Sequence, residues 1–178
     1  HRVGVENIAA PLGTAFTEAQ AALIKKFVDT VYFCFDTDEA GQNALLRAIS
    51  IAEKVGLFHK VIDIGDYKDP DELISSEPDK WIKCVNQASD SISYLINHFC
   101  EKYDMNLLEN KNKLANFISP VISSLRNDIS KSHYVKLVSG ILDIAPEVYA
   151  SKYLQDLYKQ NLSLIHISEP TRLLSISY

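Results

Sequence analysis

Hydrophobic and polar positions divide the chain into an alternating first part and a purely helical second part. Val31-Tyr32-Phe33-Cys34-Phe35 is an unbroken apolar run, the pattern of a buried parallel strand. It stops at Asp36-Thr37-Asp38, and a helix is predicted from Glu39 to Val55. That helix carries Ala44, Leu45, Ala48, Ile49, Ala52 and Val55 near helical spacing, with Gly56 as its C-terminal stop. Lys60 to Ile64 reads as the next strand. Upstream, Asn7 to Ala10 predicts a short strand, Leu12-Gly13-Thr14 a turn, and Thr17 the N-cap of a helix to about Val28. Strands alternating with helices imply parallel βαβ units.

From Pro78 onward only helical spacing remains. Helices are predicted at Pro78–Gln87, Ser91–Tyr103, Leu107–Leu125, Ser130–Leu142 and Pro146–Gln160, with Pro78 and Pro146 in first-turn positions. Pro120 is expected to kink or split the third of these. The last residues lack periodicity, and Leu162 to Arg172 resembles translated sequencing-adapter read-through. Residues 161–178 are therefore set aside as a non-native or disordered tail.

Composition narrows the class. The 178 residues are 47% hydrophobic, enough to bury a core, and contain no apolar stretch long enough to span a membrane. A cytoplasmic location is expected. Cys34, Cys84 and Cys100 show no CxxC spacing, which argues against zinc and against a disulfide framework. The net charge of −5 gives no general basic field for nucleic acid, so any such partner needs divalent ions or further regions to bind it.

The chemistry concentrates in two acidic clusters, Asp36/Asp38 and Asp69/Asp71, at the predicted carboxyl ends of successive parallel strands. Open α/β sheets place their ligands at that edge. Side chains two apart on an extended backbone point the same way, so Asp36 and Asp38 are expected side by side. Such carboxylates repel unless a cation lies between them, and hard divalent ions favour oxygen donors. Capping competes with this reading. Asp38 precedes a helix, and Asp69-Pro70-Asp71-Glu72 has the form of an N-cap, a first-turn proline and a capping-box glutamate. Asp36 has no such duty.

Leu12-Gly13-Thr14-Ala15-Phe16-Thr17, then Phe35-Asp36-Thr37-Asp38-Glu39-Ala40-Gly41-Gln42 with Arg47-Ala48, then Lys68-Asp69-Pro70-Asp71-Glu72, resemble in order and spacing the Toprim portion of DnaG-type bacterial primases. Ser91–Phe99 and Ser132-His133-Tyr134-Val135 are similar to the helical subdomain that follows it. The resemblance implies an α/β, Toprim-like (Rossmann-like) parallel sheet with flanking helices, followed by an all-α helical subdomain. Residues 1–77 would be a partial Toprim domain and 78–160 the helical subdomain of the primase core.

It further implies metal-dependent synthesis of RNA primers on single-stranded DNA from ribonucleoside triphosphates. Asp36 and Asp38 would be catalytic, and Asp36, Asp38, Asp69 and Asp71 would bind Mg²⁺ or Mn²⁺. The family's further glutamate, which ends the first Toprim strand, has no counterpart here: Glu6 is followed by Asn7, where the family has glycine. That strand, a zinc-binding domain, a basic domain and a helicase-binding C-terminal domain are expected outside the chain, leaving it inactive alone. Thr37 stands where glycine is commonest in the family.

Other readings are a nuclease or topoisomerase of Toprim type, a haloacid-dehalogenase-like phosphatase, and a non-catalytic metal- or partner-binding module. The phosphatase pattern would want Thr or Val at position 40, which is Ala. Lys68, Arg47, His59, His98 and His133 are expected to be ordinary surface or packing residues, as is Trp81.

Overall fold

The computed structural model describes residues 3–11 and 15–154. Its elements run α1 (Glu18–Ile24), β1 (Thr30–Phe33), α2 (Glu39–Val55), β2 (Phe58–Val61), α3 (Pro70–Ser76), α4 (Pro78–Asn86), β3 (Ser89–Asp90), α5 (Ser91–Lys102), α6 (Leu108–Ser124), α7 (Asp128–Leu142) and α8 (Pro146–Tyr149). A π-helical turn, Ala150–Leu154, continues from α8. β1 and β2 pair in parallel, with Thr30 opposite Phe58 and Phe33 opposite Val61. The two-residue β3 adds to the other side of β2 antiparallel, so the sheet is mixed rather than wholly parallel.

Local chemistry accounts for most helix boundaries. Thr17 caps α1 by accepting the Gln20 N–H (3.3 Å), while Gln20 accepts the Thr17 N–H (2.9 Å), a reciprocal capping box. α2 occupies Glu39–Val55 as predicted and stops at Gly56, whose φ of 75° suits a residue without Cβ. Asp90 caps α5 by accepting the Ile92 and Ser93 N–H groups, and its Oδ1 also accepts the Tyr134 hydroxyl at 2.5 Å. That last bond ties α7 to the start of α5.

Several expectations need correction. Asn7–Ala10 forms no strand, having no partner strand among the described residues. β1 and β2 lie earlier than predicted, because register with a neighbour, not the apolar run, sets their limits. α1 ends at Ile24 instead of near Val28, since Ala21 is its one buried residue and Phe27 is 79% exposed. α6 runs through Pro120 without splitting. Leu114, Ala115, Ile118, Val121 and Ile122 are buried on both sides of the proline and outweigh its local cost of about 3 kcal/mol. The Leu12-Gly13-Thr14 turn, the end of the Pro146–Gln160 helix and the tail lie outside the described residues.

Two apolar clusters flank the sheet, as its alternation dictates. Ile62, Ile64, Leu73 and Trp81 form the smaller one, against which Cys34 and Cys84 pack. The larger joins Phe33, Leu45, Ile49 and Val61 to Ile92, Leu95, Ile118 and Val138, so the α/β part and the helical part share one core. No helix among the described residues is long and apolar enough to cross a membrane.

Candidate active site

Phe33 ends β1, so Asp36 and Asp38 belong to the strand-to-helix loop rather than to the strand itself. The expected side-by-side placement on one strand face therefore has no strand to enforce it. The loop is fixed by other means. Asp38 caps α2, its Oδ1 accepting the Gly41 N–H at 2.7 Å. Gly41 lies so close beneath the loop that a Cβ added there would meet the Asp36 carbonyl oxygen at 2.0 Å. Only glycine permits that approach, which presses the first turn of α2 against the backbone of Asp36. The Asp36 carboxylate is exposed and accepts no hydrogen bond among the described residues.

The second acidic loop is built the same way. Gly65, with φ of 65°, turns the chain after Ile64, and its N–H donates to Asp63 Oδ1 at 2.8 Å. Asp69 caps α3 through the Glu72 N–H (2.9 Å), with Pro70 in the first turn. Glu72 reaches back to the Lys68 N–H (2.7 Å), one residue earlier than a capping box would have it. Asp71 lies exposed in the first turn of α3. Tyr67 anchors the loop to α4 through a hydrogen bond to Glu77, with the Lys80 ammonium 4.7 Å from its ring centroid.

Thr37 joins the two loops. Its backbone N–H donates to the Lys68 carbonyl at 3.1 Å, and its hydroxyl donates to the Tyr67 carbonyl at 3.2 Å. The residue between the first two aspartates thus touches the residues just before Asp69. Sequence reasoning treated Thr37 as a bystander. Its one legible signal was a hydrogen-bonding side chain where the resembled family most often has none.

The donor set bears on metal binding. All four aspartates offer hard carboxylate oxygen, and capping commits only one oxygen each of Asp38 and Asp69. Among the described residues, however, no three His, Cys, Asp or Glu side chains converge as a metal cluster. These residues suit an ion that keeps much of its water, as Mg²⁺ does, rather than one in a closed protein cage.

Neighbouring groups have structural work. His59 is buried on β2 and pairs with Glu53 of α2 at 3.0 Å. Burial pushes the Cys34 thiol up to about 12, so it stays protonated and inert near neutrality. Tyr94 of α5 is raised by burial, while its hydrogen bond with Gln42 pulls the other way. Arg47 is exposed and Trp81 is buried.

Comparisons with known proteins agree with this architecture. Residues 1–74 match a family described as Toprim-like, and residues 92–147 match one described as the DnaB-helicase binding domain of primase. A DNA primase of Clostridium acetobutylicum is 36% identical over 140 residues, covering 78% of this chain and 23% of that protein. A primase domain from Pseudomonas aeruginosa, solved by crystallography, superposes with a TM-score of 0.62 at 25% identity, covering 79% of this chain and 45% of that one. A DnaG primase catalytic domain bound to single-stranded DNA shares the fold, with a TM-score of 0.59 at 23% identity over 75% of this chain and 43% of that one. The chain spans about a quarter to a third of the length of the curated relatives it matches. The helicase-binding match falls inside the helical part, whereas such a region was expected only outside the chain.

Proposed function

Because the chain belongs to the DnaG-type primase family, we propose that its two acidic loops form the divalent-ion side of a site for RNA primer synthesis. The supporting observation is the pair of Thr37 hydrogen bonds that holds the Asp36/Asp38 loop against the Asp69/Asp71 loop. Asp36 and Asp38 would be the catalytic pair, with Asp69 and Asp71 completing the carboxylate set around Mg²⁺ or Mn²⁺. Such an ion supplies neutralisation of triphosphate charge when bound. Asp38 and Asp69 each keep one oxygen on a helix cap, which fixes the other in direction. Asp36 brings a carboxylate with no competing partner among the described residues.

The substrates in this reading are ribonucleoside triphosphates and a single-stranded DNA template, the latter in line with the DNA-bound relative. Residues 92–147 would carry a contact to the replicative helicase, in line with the second family match. The setting is the bacterial cytoplasm. Nothing in the site favours the nuclease, topoisomerase, phosphatase or non-catalytic readings.

Asp36→Asn tests the assignment in the full-length primase that contains this segment. Primer synthesis on a single-stranded template is expected to fall by about 10²–10³, the scale for losing a group that stabilises developing charge. Thermal stability should stay unchanged. Primer synthesis at the parent rate would overturn the role of Asp36.

A further inference from the structure

The geometry points to Thr37 as a positioning residue that straps the second acidic loop to the first and so sets where Asp69 stands relative to Asp36 and Asp38. The inference rests on the reading of these loops as a divalent-ion site. Strand pairing does not reach this far: β1 and β2 end at Phe33 and Val61, apart from one further bond from the Ile62 N–H to the Phe33 carbonyl at 2.9 Å. Beyond it, Cys34 still packs with Ile62, Ile64 and Tyr67 in the smaller apolar cluster, but Asp36, Asp38, Asp69 and Asp71 themselves lie outside that packing.

Thr37 bridges that gap with both of its donors. The backbone N–H reaches the Lys68 carbonyl at 3.1 Å, and the hydroxyl reaches the Tyr67 carbonyl at 3.2 Å and the Lys68 carbonyl at 3.5 Å. Each end of the strap is independently stiff. Thr37 is followed directly by Asp38, the N-cap of α2, and the Asp36 backbone rests on Gly41. On the other side, Tyr67 is held to α4 by Glu77 and Lys80, and Lys68 is followed directly by Asp69, the N-cap of α3. Thr37 is half-buried, and its hydroxyl bond to the Tyr67 carbonyl is partly shielded from competing water. A backbone bond alone would fix the approach of the loops at one point. Adding the hydroxyl bond to the preceding carbonyl also fixes their relative rotation.

The test compares this chain with its Thr37→Val and Thr37→Ser variants. Valine keeps the β-branched shape and the backbone N–H but removes the hydroxyl, whereas serine keeps the hydroxyl. Amide exchange across residues 65–72 is expected to rise by about fivefold in Thr37→Val and to stay at the parent level in Thr37→Ser, the size expected for one hydrogen bond. In Mn²⁺ titration calorimetry, Thr37→Val should bind about fivefold more weakly at unchanged melting temperature, with serine restoring the affinity. Unchanged exchange in Thr37→Val would overturn the strap. Unchanged Mn²⁺ affinity beside raised exchange would overturn its role in setting the site while leaving the metal reading intact. No Mn²⁺ uptake by the parent chain would overturn the metal reading on which the inference rests.

Discussion

The acidic loops and the helical core are held together by different forces. Around Leu95, Ile96, Ile118 and Val138 the molecule is dry, and order comes from apolar packing shared between both parts of the chain. Around Asp36, Asp38 and Asp69 it is wet, and order comes from caps, one close glycine contact and the Thr37 hydrogen bonds. The contrast teaches that the loops can be altered with little effect on folding, because each loop contact is small beside the loss of a buried side chain. Exposed carboxylates cannot be positioned by burial, so polar geometry does it instead.

That separation can be broken from the core side first. Leu95→Ala is expected to destabilise the whole chain by about 2–5 kcal/mol, through lost burial and a residual cavity, as read from urea denaturation. If it unfolded only the helical part, leaving the α/β part intact by near-ultraviolet dichroism, the single shared core would be wrong. Gly41→Ala comes next and probes the border between the two regions. The added methyl must displace the Asp36 carbonyl, at an expected cost of about 1–3 kcal/mol in the same measurement. A variant as stable as the parent would mean that the loop yields easily and that its placement is not set by this contact. The smallest effect sharpens the contrast from the loop side. Asp38→Ala should lose about 1 kcal/mol through the missing cap, whereas Asp38→Asn should keep it, since Asn caps as well as Asp. Equal losses in both would show that charge at the start of α2, not the cap bond, is what stabilises it.

Legibility in the sequence follows the same division between local and distant causes. α2 could be read to the residue because Asp38 and Gly56 act within their own turns. The cap at Asp69 and the first turn after it are equally plain, although the sequence does not mark where α3 ends. β1 and β2 begin and end one to three residues before the apolar runs suggest, because pairing partners decide where they begin and end. β3 was not legible at all: Ser89 and Asp90 have no strand character until β2 lies beside them. Among candidate site residues, the two acidic clusters stood out by residue type. Thr37 did not, because its partners at Tyr67 and Lys68 lie about thirty positions away and are backbone carbonyls, which every residue possesses.

The shared core also limits how this molecule could be taken apart. A cut after Glu77 would look clean in the sequence, yet it would strip Ile49, Ala52 and Val61 of the helices that cover them. Anyone transplanting the acidic loops onto another scaffold would have to bring α5 and α6 with them, or redesign the underside of α2 as a water-facing surface. The acidic loops are therefore not a detachable cassette, and chimeras between relatives should exchange the α/β and helical parts as a matched pair.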